Sequence, residues 1–110
     1  MPNISLFGMQ IAPLRMPEAV ATLHEWIDAE DRHCRYVVTP NVDHAVMFET
    51  HAGLRDAYRD ASLVLADGLP VVLASRLLKK PLPERVAGSD LAPALFASTS
   101  SARPLSVYLL

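Results

Sequence analysis

The chain has 110 residues, 51% hydrophobic and 20% charged, a balance that can build a core and excludes a compositionally disordered chain. Twelve acidic against ten basic residues leave a formal charge of −2, which argues against a dedicated nucleic-acid binder, since such proteins show a basic face. The single cysteine, Cys34, excludes an intramolecular disulfide and reads as a small buried hydrophobe ahead of a strand. The start, Met1-Pro2-Asn3-Ile4, lacks the basic opening and apolar run of a signal peptide. No apolar stretch reaches bilayer-crossing length, so the expected compartment is the cytoplasm.

In chain order, Ile4-Ser5-Leu6-Phe7 and Met9-Gln10-Ile11 are short strand-like runs around Gly8, fit for a small hairpin or a bent edge. Pro17 and Glu18 suit a first helical turn. Val20, Leu23 and Ile27 then repeat at helical spacing, widened by Ala19 and Trp26, which predicts an amphipathic helix over about 17–30. Tyr36-Val37-Val38 reads as a buried strand stopped at Pro40, which has no backbone donor. Asp43 is placed to cap a helix over 44–50, Gly53 breaks the next turn, and Leu54–Ala61 reads as another helix.

Leu63-Val64-Leu65 is a second buried strand, stopped by Ala66-Asp67-Gly68. Pro70 opens an apolar helix through Leu78 that ends at Lys79-Lys80-Pro81. Ser89 or Asp90 is expected to cap a helix through Phe96, Ser98–Arg103 forms a small-residue linker, and Leu105–Leu110 is a third buried strand. Nearly continuous apolar strands alternating with helices predict an α/β fold, Rossmann-like, with a mainly parallel sheet flanked by helices and a short N-terminal β-hairpin. Residues 1–110 are expected to form part of a single domain. Because the last predicted strand has no loop or helix after it, the chain is expected to be truncated.

Two strand ends carry polar residues in comparable places, Thr39-Pro40-Asn41-Val42-Asp43 and Ala66-Asp67-Gly68. If the strands are parallel neighbours, both lie at the carboxyl edge of the sheet, where open α/β folds bind ligands. Asp67, between two small residues, is either a general base on a rigid strand end or a turn aspartate capping the next helix. Thr39 and Asn41 offer a hydroxyl and an amide that suit a sugar or phosphate, or that satisfy loose backbone groups around Pro40. Arg85, in a proline-flanked loop before Gly88, is a better phosphate partner than Arg76, which falls on a solvated helix face. There is no Gly-x-Gly-x-x-Gly fingerprint and no Asp-x-Asp. His44, Glu49 and His51 match no zinc spacing and read as helix-surface residues. No metal or other cofactor is expected.

Three blocks in order carry a more specific signal: Thr-Pro-Asn-Val-Asp at 39–43, Ala-Asp-Gly-Leu-Pro-Val-Val at 66–72 and Pro-Leu-Pro-Glu-Arg-Val-Ala-Gly-Ser-Asp-Leu at 81–91. Together they resemble the WecG/TagA/CpsF glycosyltransferases, and the hairpin and helix before them agree with that family's layout. The resemblance implies a bacterial, inverting, metal-independent enzyme of cell-surface polysaccharide synthesis. Such an enzyme moves an N-acetylmannosamine-like sugar from a UDP donor to a polyprenyl-diphosphate-linked acceptor. It implies Asp67 as the base that deprotonates the acceptor hydroxyl, Thr39 and Asn41 as polar pocket residues, and Arg85 as an arginine near the active site. The family often has glycine where Lys79 or Lys80 stands, and its members are roughly twice this length, with the second half supplying much of the UDP site and a membrane-associating tail. Peripheral contact with the inner face of the plasma membrane is therefore expected of the longer protein, and homo-oligomerisation is left open. The competing reading is a non-catalytic folded module that lacks the donor site.

Overall fold

A computed structural model describes residues 3–29, 33–98 and 105–108. The chain opens with an antiparallel hairpin of β1 (Ile4–Leu6) and β2 (Met9–Ile11), in which Ile4 faces Ile11 and Leu6 faces Met9. Phe7 and Gly8 form its two-residue turn with φ of 53° and 81°. Positive φ at both turn positions matches the right-handed twist of the flanking strands, and glycine takes it without steric cost.

Helix α1 (Met16–Asp28) has Pro17 in its first turn, and the Glu18 carboxylate reaches back to accept from the Arg15 backbone N–H at 2.9 Å. Its packed face is Met16, Ala19, Val20, Leu23 and Trp26, whereas Ile27, expected on the stripe, is 47% exposed. The chain then runs through β3 (Val37–Val38), α2 (Val42–Phe48), α3 (Ala52–Arg59), β4 (Leu63–Val64), α4 (Leu69–Leu77) and α5 (Gly88–Ala97).

β3 and β4 pair in parallel, Val37 with Leu63 and Val38 with Val64. Hydrogen bonds from Ser62 N to Tyr36 O, Leu65 N to Val38 O and Asp67 N to Pro40 O, each 2.9 Å, carry the pairing past both ends of the short ladder. Because side chains alternate across a strand, the pair separates two apolar clusters. Val38, Val64 and Ala66 pack with the hairpin and with residues of α2, α3 and α4. Val37, Leu63 and Leu65 pack with α1, Val86 and Leu91 of α5. The hairpin is tied to the pair by Ala12 N donating to Val64 O at 2.8 Å.

The architecture is α/β, as expected, but the described residues hold two two-stranded sheets, one antiparallel and one parallel, instead of one mainly parallel sheet. The expected third strand does not form over 105–108, where Val107 and Tyr108 are 53% and 85% exposed. An apolar run becomes a strand only where a neighbouring ladder receives it. Residues 109–110 and most of the expected linker lie outside the described residues.

Several local expectations also change. Asn41, not Asp43, caps α2, its Oδ1 accepting from His44 N at 3.1 Å, and Asp43 sits in the first turn. Gly53 lies inside α3, which starts after a cap by His51 Nδ1 on Leu54 N. Ala87 precedes α5, which places Ser89 and Asp90 within its first turn. Cys34 is exposed, because it falls in the irregular segment before β3 and not on a packed face.

Helix α4 ends in a Schellman arrangement, Lys80 N donating to Ser75 O and Lys79 N to Arg76 O, with Lys79 at φ 58°. A lysine there carries the left-handed penalty that glycine avoids. Lys79→Gly is therefore expected to raise the stability of the fold by roughly 1 kcal/mol, measured by urea unfolding. In the first cluster the Tyr58 hydroxyl meets His44 Nδ1 at 2.7 Å and its ring packs edge-on against Phe48. Burial pushes the Tyr58 phenol up to about 12. The folded state then holds this proton more tightly than the unfolded chain, so stability from this group is complete below about pH 10 and is lost as pH rises toward 12. Tyr58→Phe should remove that part of the alkaline decline in melting temperature.

Candidate active site

Three chain segments meet at the carboxyl edge of the parallel pair. Thr39-Pro40-Asn41 leaves β3, Ala66-Asp67-Gly68 leaves β4, and Val86-Ala87-Gly88 enters α5. The Asp67 backbone N–H bonds Pro40 O, and Val86 N–H bonds Ala66 O at 2.7 Å. Gly88 lies against Thr39, close enough that a Cβ on it would sit 3.4 Å from Thr39 Oγ1. Parallel pairing in this register therefore brings Thr39, Asn41 and Asp67 to one edge.

Asp67 is half-buried. It does not cap α4, whose N-cap is Gly68 with no side-chain cap bond, and its carboxylate has no hydrogen-bond or ion-pair partner among the described residues. Gly68 has φ 112° and ψ 138°, a conformation open essentially to glycine. That turn lets the chain leave the sheet at Asp67 and enter α4 directly, so the carboxylate stays at the sheet edge without a structural duty.

Asn41 is exposed and has one task already, since its Oδ1 caps α2. Its amide nitrogen remains as a donor. Thr39 is half-buried beside Gly88. Arg85 is exposed in a loop fastened on both sides of it: Leu82 N–H to Ser75 Oγ at 3.0 Å, Met16 N–H to Glu84 Oε1 at 2.6 Å, and Val86 N–H to Ala66 O. The loop thus starts its side chain near the Asp67 edge, without an ion pair among the described residues. Arg76 is exposed in the last turn of α4, about 10 Å of helix rise from the edge where that helix begins. His44 and His51 are occupied by Tyr58 and the α3 cap.

Two positioning residues were not picked out from the sequence. Ser75, fully buried, donates to Val72 O and accepts from Leu82 N–H, joining α4 to the Arg85 loop. Glu84 ties the same loop to the start of α1. A lone serine in an apolar helix is the one signal that pointed to the first. The Glu84 contact spans 68 residues and has no local sign.

The profile of the Glycosyl transferase WecG/TagA/CpsF family matches residues 4–110. The chain belongs to this family. It is similar to the N-acetylglucosaminyldiphosphoundecaprenol N-acetyl-beta-D-mannosaminyltransferases of Staphylococcus aureus strains NCTC 8325 / PS 47, COL and MSSA476. Each is 27% identical over 89 residues, covering 81% of this chain and 35% of the relative. This WecG/TagA/CpsF chain thus spans about a third of the length of the curated relatives it matches. Among its described residues, no helix is long and apolar enough to cross a membrane.

The double position of Asn41 can be separated by mutation. Asn41→Ala removes the α2 cap and should cost about 1 kcal/mol in urea unfolding, while Asn41→Asp keeps the capping oxygen and should stay within a few tenths of a kcal/mol of the parent.

Proposed function

We propose that this chain is the acceptor-side part of an inverting glycosyltransferase that moves an N-acetylmannosamine-like sugar from a UDP donor to a polyprenyl-diphosphate-linked sugar, with Asp67 as general base. The observation that carries the reading is the half-buried Asp67 carboxylate, without a partner among the described residues, at the edge shared with Thr39 and Asn41. The relatives' names, which specify a diphosphoundecaprenol acceptor and mannosaminyl transfer, supply the substrate class.

In the proposed reaction the Asp67 carboxylate takes the proton of the acceptor hydroxyl as its oxygen attacks the anomeric carbon of the donor. The bond from that carbon to the UDP oxygen breaks on the opposite face, so the configuration inverts. Thr39 Oγ1 and the Asn41 amide nitrogen orient hydroxyls of the sugars. Arg85 approaches the diphosphate and offsets the charge that grows on the leaving group, the task a divalent cation performs in other sugar-nucleotide enzymes. The parallel pair is the start of a Rossmann-like, mainly parallel sheet completed in a longer polypeptide that carries the rest of the donor site. The enzyme works in the cytoplasm, peripherally at the inner face of the plasma membrane where its lipid-linked acceptor resides.

The test is transfer from a panel of UDP sugars to a lipid-diphosphate-linked N-acetylglucosamine by the full polypeptide that carries this chain, with and without chelator. The expected result is transfer from UDP-N-acetylmannosamine, with the anomer inverted and turnover nearly unchanged by EDTA. Activity lost to EDTA and restored by magnesium or manganese overturns the metal-independent mechanism. Acceptor binding without transfer from any donor makes the chain a non-catalytic module.

A further inference from the structure

A groove of about 360 Å³ lies between α2, α4 and the hairpin turn, lined by Phe7, Val42, Val46, Pro70 and Ala74, with Glu49 the one ionisable side chain among the described residues that line it. None of Thr39, Asn41, Asp67 and Arg85 lines it, but its near end adjoins their chain segments. Val42 follows Asn41 directly and Pro70 is the third residue after Asp67, so the first turns of both helices form its near end. From Val42 to Glu49 it follows α2 for two turns, about 10 Å of helix rise, away from the sheet edge. Phe7, Val42 and Val46 are 42%, 46% and 66% exposed, so apolar surface stands open to solvent along its length.

We propose that this groove is the subsite for the polyprenyl chain of the acceptor, holding the isoprene units that follow the diphosphate. The inference rests on the glycosyltransferase reading above and adds where the lipid goes. Its charge pattern selects the occupant: the described lining residues include no cation to receive a diphosphate or an anionic lipid headgroup, and Glu49 would repel either. A neutral hydrocarbon loses nothing there and gains burial at both walls. An acceptor whose sugar hydroxyl is at Asp67 carries its lipid on the far side of the diphosphate. A groove that starts at the same edge and leads away from it receives that end of the molecule. The concave shape, with walls from two helices and a turn, fits a single chain better than it fits a flat bilayer surface.

The test uses the full polypeptide and two acceptors with the same diphosphate-linked sugar, one on a long polyprenyl chain and one on a short alkyl chain, with Val46→Asp as the variant. Val46 is among the most exposed of the groove residues, so the fold should tolerate the change, and the melting temperature checks it. The parent should show a lower KM for the polyprenyl acceptor. Val46→Asp should raise that KM by about tenfold or more while leaving the short-chain KM and kcat unchanged. An equal effect on both acceptors, or none, overturns the proposal. A parent dimer that Val46→Asp dissociates, without a change in chain-length preference, assigns the groove to a second copy instead. Loss of binding to phosphatidylglycerol vesicles, again without that change, assigns it to the membrane.

A binding measurement separates this proposal from the catalytic one. Farnesol should displace the neutral dye N-phenyl-1-naphthylamine from the parent and not from Val46→Asp, whether or not any donor is turned over. Transfer that fails on every acceptor while farnesol still binds sinks the glycosyltransferase reading and leaves an isoprenoid groove. Transfer that proceeds without farnesol binding or chain-length preference sinks the groove alone.

Discussion

The parallel pairing of β3 with β4 is the constraint on which the rest of the structure depends. Val37 opposite Leu63 and Val38 opposite Val64 set which side chains face each apolar cluster, and a slip of one residue would send every one of them to the wrong side. Leu65, fully buried, and Val64, 7% exposed, point to opposite clusters. The same register makes Asp67 N–H meet Pro40 O. Core and candidate site are therefore consequences of one alignment, and a side chain that weakens the pairing acts on both.

The site is assembled by backbone more than by side chains. Pro40, Ala66 and Val86 contribute carbonyls and an amide that join three segments, while Ser75 and Glu84 secure the loop that carries Arg85. Such scaffolding leaves the polar side chains available. Among the described residues, the Asn41 side chain uses only its oxygen, on a helix cap, and the Asp67 side chain has no partner. A carboxylate held on a rigid strand end, with its own hydrogen bonding free, is what the proposed removal of a proton from an acceptor hydroxyl requires.

The strands and helices around this site were legible because their signals are local. Val37-Val38 and Leu63-Val64 are apolar runs ended by proline or glycine, and the Phe7-Gly8 turn and the α4 proline follow rules of backbone geometry. Placing Asn41 and Asp67 on one edge needed only the assumption of parallel neighbours, which the pairing bears out. The caps were not legible to the residue. Asn41 and Asp43 both suit a cap, and the choice falls to Asn41 because the chain leaves the sheet at Pro40. The α5 cap is Ala87 because Val86 is tethered to Ala66, a contact with no local trace. The burial expected for Cys34, Val107 and Tyr108 failed for the same reason, since apolar character does not supply a packing partner. Arg85 was singled out by its proline-flanked loop and again by the ordered motif blocks, while its loop's anchors, from Met16 and Ser75, emerge only in three dimensions.

The central claim is that the Asp67 carboxylate accepts a proton during transfer, and Asp67→Asn in the full polypeptide tests it most directly. Asparagine keeps the size and much of the hydrogen bonding and removes the acceptor. Because Asp67 neither caps α4 nor pairs with a described side chain, its loss should spare the fold. Turnover and melting temperature measured on one preparation should show turnover reduced by about 10²–10⁴-fold, with donor affinity and melting temperature close to those of the parent. Near-normal turnover, or lost turnover accompanied by a collapsed melting temperature, would contradict the account.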